Sequence, residues 1–138
     1  MTIEDVEASF FKFLYDELEV PHGVTILEDI NLISFDGMEK WVVIDSLSNQ
    51  LGAEPKQVYF LHIAVQKGMK RSKAALNALV ALVDSVVNKG VAITVYDSET
   101  TSEIGGMTVS KTSLSPVMPH YSGGMFRSMT VEIVYEGK

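Results

Sequence analysis

Apolar residues recur at Ile3, Val6, Phe10, Phe13, Leu14 and Leu18, while Glu4, Asp5, Lys12, Asp16 and Glu19 fall between them. Steps of three and four make this the stripe of an amphipathic helix. Thr2 supplies an N-cap, and Asp5 an acidic first turn at the positive end of the helix dipole. Pro21 is expected to stop the helix, and Val20 before it is biased away from helical angles, which predicts a helix over 3–19. The pattern then changes period. Residues 24–33 alternate weakly and are rich in β-branched side chains, and Asp36-Gly37 is a turn signal. Trp41 to Ile44 reads as a strand, followed by a polar stretch from Ser46 to Lys56. Gln57 to Gln66 is the clearest early strand, with Tyr59, Leu61, Ile63 and Val65 on one face and Phe60, His62 and Ala64 on the other. Neither face is polar, which predicts a central strand covered on both sides.

Ser72 and Gly90 bracket a second helix over 73–89, with Leu76, Leu79, Val83, Val86 and Val87 as its stripe. Val80 and Leu82 widen that stripe almost round the helix, which predicts packing on more than one side. Val91 to Tyr96 is a strand, and the polar run from Asp97 to Gly106 reads as an exposed loop. An extended stretch follows from Met107 to about Val117, interrupted by Pro116 and Pro119, with a turn at Ser122-Gly123-Gly124. Met125 to Tyr135 alternates cleanly, with Met129, Val131, Ile133 and Tyr135 opposite Ser128, Thr130 and Glu132. The order predicts one α+β domain over residues 1–138: a mixed, mainly antiparallel sheet packed by two helices, with a long C-terminal β-hairpin.

Composition narrows the function. The 138 residues contain no cysteine, so disulfides and thiolate metal sites are excluded. The acidic N-terminus is not a secretory signal, and the longest apolar run, Ala74 to Val87, is too short to span a bilayer, so a soluble protein made in a cytoplasm is expected. A net charge of −7 argues against nonspecific nucleic-acid binding, which depends on Lys and Arg neutralising phosphates.

Chemistry-bearing motifs are missing. His22, His62 and His120 have no carboxylates at a metal-ligand spacing, and no metal or other cofactor is expected. Gly105-Gly106 and Gly123-Gly124 lack the spacing and lysine of a phosphate loop and read as turn glycines. There is no G-x-S-x-G elbow. Lys67, Lys70, Arg71 and Lys73 concentrate positive charge at the start of the second helix, where it opposes the dipole; it reads either as a solvated loop or as a surface for an acidic partner. Residues 97–124 read as a long polar segment without catalytic residues, better suited to an intersubunit contact. The expectation is a non-enzymatic protein that binds and assembles.

Several runs carry a resemblance: Lys40-Trp41-Val42-Val43, the strand from Val58 to Val65, the Ala-rich helix from Lys73 to Asn88, and Gly123-Gly124-Met125-Phe126-Arg127 leading into Met129 to Tyr135. With the amphipathic N-terminal helix and the element order, the chain resembles the tail-terminator (tail-completion) proteins of long-tailed bacteriophages. The resemblance implies a virion protein at the tail-neck junction, assembled in the host cytoplasm. It would form a ring, typically of six copies, that caps the tail tube and meets a head-completion or connector protein. DNA would pass through the lumen without specific binding, and no membrane would be involved. Ring interfaces are heterologous, so two complementary patches are required. The residues expected at them are Lys70, Arg71, Asp97, Glu99, Glu103, His120 and Arg127. Self-association is expected at an edge strand or the hairpin. The alternatives are another phage neck component, or a small ligand-binding or enzymatic α+β domain in which His62, Tyr59 and Asp45 would converge.

Overall fold

A computed structural model describes residues 2–28, 39–46, 56–66, 72–116, 118–119 and 125–137. The expected turn at Asp36-Gly37, the polar stretch after Ser46, the basic cluster at Lys67 to Arg71 and the turn at Gly123-Gly124 lie outside them.

Helix α1 (Ile3–Leu14) opens on a complete capping box: Asp5 N–H donates to Thr2 Oγ1 at 3.2 Å, and Thr2 N–H donates to Asp5 Oδ2 at 2.7 Å. The helix does not stop before Pro21. A π-helical stretch, Tyr15–Glu19, joins α1 to a final turn, α2 (Val20–His22), and Val20 is itself helical. In a regular α-helix a proline ring collides with the carbonyl one turn back, and the widened π turn supplies the room. Gly23 ends the rod instead, at φ 69°, with its N–H donating to the Glu19 carbonyl at 3.0 Å. Val6, Phe10, Leu14 and Leu18 are fully buried along this rod.

The strands are β1 (Thr25–Leu27), β2 (Lys40–Ser46), β3 (Lys56–Val65), β4 (Ala92–Tyr96), β5 (Glu103–Leu114), β6 (Met118–Pro119) and β7 (Met125–Gly137), with α3 (Ser72–Val86) between β3 and β4. They form one sheet in the order β1-β2-β3-β7-β5-β4, with β6 also pairing β7. Only β1 and β2 run parallel; the other pairs are antiparallel. The fold is therefore α+β with a mixed sheet, and β5 and β7 form the long C-terminal hairpin with β6 inside it. The expectation of two helices on the sheet holds in outline: α3 lies against β3 and β7, whereas α1 meets β4 at the sheet margin.

The two faces of β3 differ in their surroundings. Tyr59, Leu61, Ile63 and Val65 join the helical stripes in one core. On the outer face, Ala64 is buried in a small cluster with Trp41 and Val43, but Phe60 and His62 are only half-buried. The strand is central, yet covered on both sides at one end only. Helix α3 buries Leu76, Leu79, Val80 and Val83, while Ala74, Asn77, Ala78, Ala81 and Asp84 are exposed. Its breadth of apolar positions is filled on the far side by alanine, and among the described residues it packs on one side. Among the described residues no helix is long and apolar enough to cross a membrane.

Candidate functional site

The segment expected to be a loop from Asp97 to Gly106 is mostly strand. Only 97–102 turn the chain, and Gly105-Gly106 lie within β5, where Gly105 is buried. Asp97 organises the turn: its Oδ1 accepts from Glu99 N–H at 2.8 Å and Thr100 N–H at 2.9 Å. Those amides, Thr100 first, hold its carboxyl below the ordinary range. Thr101 takes a left-handed φ of 60°, and Asp97 N–H closes on the Ser102 carbonyl at 2.8 Å. Glu99 is exposed at the tip, and Glu103 is exposed at the first residue of β5. These three acidic residues share one end of the β4–β5 hairpin.

Arg127 stands at the other end of the sheet, opposite Ile63, and is half-buried, with Nε donating to the Ser115 carbonyl at 2.8 Å. Its first role is to hold the corner after β5. Lys70, Arg71 and His120 lie outside the described residues. The four described residues thus fall at two ends of the sheet, Asp97, Glu99 and Glu103 at one and Arg127 at the other.

What the sequence missed is a polar row on the outer face of the sheet. Strand register sets His62 directly opposite Ser128, and His62 also opposite Val43, one position along the face from Asp45. Ser128 Oγ lies 2.7 Å from His62 Nδ1, and Asp45 Oδ2 lies 3.8 Å from His62 Nε2. Phe60 stacks on the imidazole at 6.4 Å between ring centres and 21° between planes, and Phe126 meets it edge-on at 6.1 Å and 77°. Asp45, Phe60, His62 and Ser128 line an open trough of about 520 Å³ with Leu114 and Thr130. Ser115 fixes its wall: its N–H donates to the Ser128 carbonyl, and Ser128 N–H donates to its Oγ, each at 2.8 Å. Of the trio considered for a ligand pocket, His62 and Asp45 come together. Tyr59 does not, because it points into the core on the opposite face, its ring tilted against that of Phe10 at 5.0 Å between centres.

A charged row bounds this trough. Lys56 Nζ lies 3.2 Å from Glu132 Oε1, which also accepts from Ser110 Oγ at 3.0 Å, and Lys56 with Ser110 draws the Glu132 carboxyl below its ordinary range. Beyond the row a second groove of about 510 Å³ crosses β4, β5 and β7. Ala92, Gly106 and Thr108 line it together with Glu103 and Glu136, and Val134 is 39 % exposed within it. Among the described residues no three His, Asp or Glu side chains converge as a metal site.

Each margin of the sheet carries side-chain caps at one residue. On β1, Ile26 N–H donates to Glu19 Oε1 at 2.9 Å. On β4, Ser9 Oγ accepts from Tyr96 N–H at 2.9 Å and donates to its carbonyl at 3.4 Å, while Asp5 Oδ1 takes Ser98 N–H at 3.0 Å. At those residues the outward backbone groups are already bonded and are not offered to an added strand. No protein-family model matches the sequence, and no curated protein matches it.

Proposed function

We propose that the chain works by self-association, as a structural subunit of a long-tailed bacteriophage neck whose ring caps the tail tube and joins it to the head connector. The observation carrying the assembly part is one-sided cover. Side chains of both helices join the core on one face of the sheet, whereas the groove over β4, β5 and β7 leaves Val134 in solvent beside Ala92, Gly106 and Thr108. A surface of small side chains around an exposed valine admits close approach by a neighbour. The caps at Ile26 and Tyr96 favour docking of that neighbour on the face over pairing at those edge positions. The tail-terminator identity rests on the resemblance, and the observed helix–strands–helix–strands order is compatible with it. The net charge of −7 suits a lumen that repels passing DNA.

Solution mass and negative-stain images, alone and with tail tubes, test this reading. Closed rings seated on tube ends are expected. A chain that stays monomeric at high concentration and binds no tube end refutes it.

A further inference from the structure

We propose that Ser128 is an activated nucleophile and that the trough over β2, β3 and β7 is an acyl-transfer site for small carboxylic esters or thioesters. The inference concerns the single chain and does not rest on the ring.

The imidazole of His62 is held on four sides, by Ser128 at Nδ1, Asp45 beyond Nε2, the face of Phe60 and the edge of Phe126. A carboxylate beyond Nε2 favours the tautomer with its proton there, which leaves the Nδ1 lone pair to receive the Ser128 hydroxyl proton. Nucleophile, base and orienting carboxylate then follow the order that activates serine on unrelated folds, where geometry and roles define the set rather than sequence position. The 3.8 Å separation from Asp45 is long for a hydrogen bond, and such contacts commonly tighten only when substrate is bound. Phe60 and Leu114 provide apolar walls for an acyl chain. The hydroxyls of Ser113 and Thr130 lie in the same trough and are available to a developing oxyanion.

The reaction balances within these groups. Ser128 Oγ bonds to the acyl carbon as its proton passes to His62 Nδ1. The carbon–oxygen or carbon–sulfur bond to the leaving group then breaks, and that group departs with the proton from Nδ1. Water, deprotonated by the same nitrogen, releases the acid and restores the serine. Asp45 is a positioning residue, since it acts through His62.

A cross-strand pair that merely stabilises the sheet would show the same resting hydrogen bond, so reactivity decides. The full-length chain is incubated with p-nitrophenyl acetate, and separately with a fluorophosphonate probe, and peptide mass spectrometry locates the adduct. Labelling at Ser128 is expected, absent in Ser128→Ala and slowed roughly a hundredfold in His62→Gln. Asp45→Asn should slow it several-fold and Asp45→Glu should restore most of the rate, a rescue that a purely structural role would not give. If Ser128→Ala fails to fold by circular dichroism, Ser128→Cys replaces it, and its thiol must react with iodoacetamide faster than one placed at exposed Thr108 (Thr108→Cys). Labelling confined to lysines, labelling unchanged by His62→Gln, or no labelling at Ser128 overturns the proposal. A chain that labels without forming rings loses only the assembly reading, and one that forms rings without labelling loses only this one.

Discussion

Asp5 shows how much a single side chain can join. It sits beside the apolar stripe of α1, is 6 % exposed, and accepts from Thr2 N–H on one oxygen and Ser98 N–H on the other. Those two amides, Thr2 first, hold its carboxyl far below the ordinary range. A carboxyl depressed on folding stabilises the fold above its unfolded value of about 4, and that contribution fades as pH falls below it. Asp5→Asn is therefore expected to lower the urea midpoint at neutral pH, with the gap to the natural chain narrowing near about pH 3. Thr2→Ala, which removes the reciprocal cap, should cost about 1 kcal/mol in the same measurement. A gap for Asp5→Asn that is constant with pH would show that the charge is not what matters. Tyr59 makes the opposite case. Its ring is wholly buried and, among the described residues, its hydroxyl has no hydrogen-bond partner; burial, with nearby Glu7 adding to it, pushes the phenol above its ordinary value. Leaving such a group unpaired costs about 1–3 kcal/mol, so Tyr59→Phe should stabilise the chain by about 1 kcal/mol in denaturant unfolding. A loss of stability on that substitution would mean the hydroxyl is bonded.

The apolar periods found both long helices and most strands because each buries one continuous stripe, which sequence spacing reports directly. They failed where a local rule competed with a distant partner. Pro21 signals a helix stop, but Leu18 must still reach the core, and the chain meets both demands with π turns and ends at Gly23. Gly105 and Gly106 read as turn glycines, yet the turn is made by Asp97 and the glycines lie in β5. The two kinds of glycine are separable by experiment. Gly23 is in the left-handed region, with open space around an added Cβ, so Gly23→Ala carries only the backbone penalty of about 1–2 kcal/mol. Gly106 has no positive φ, and a Cβ there would meet only the Ile93 carbonyl at 3.8 Å. Gly106→Ala should be neutral or slightly stabilising. Thermal unfolding of the two variants checks the pair, and equal losses would contradict the assignment. The Ser128–His62–Asp45 row was beyond sequence reading for another reason: alternation puts each residue on a face, but only register places His62 opposite Ser128.

At the scale of the molecule, the sheet has one face inside and one partly outside, and the outer face is divided by the row of Lys56 and Glu132. The polar trough on one side of that row and the small-residue groove on the other are separate surfaces, so assembly and reactivity can be tested independently. Val134 lies opposite Thr108 and Lys56 in the ladders, on the outer face, so a lysine there replaces no core contact. Val134→Lys should therefore leave circular dichroism unchanged, with a loss of stability of at most about 1 kcal/mol from the like charge of Lys56 across the ladder. If a neighbour seats in this groove, the substituted ammonium must be desolvated on docking, which weakens association by at least about 1.4 kcal/mol, a tenfold change in its constant. Sedimentation velocity across a concentration series reads that shift directly. The acidic hairpin end supplies the internal control: Glu99→Gln lies at the exposed tip of the 97–102 turn, remote from Arg127. Weakening by Glu99→Gln but not by Val134→Lys would move the interface to the turn, as the sequence reading had it. Weakening by Val134→Lys alone places the neighbour on the open face, where the capped margins of β1 and β4 leave it to dock.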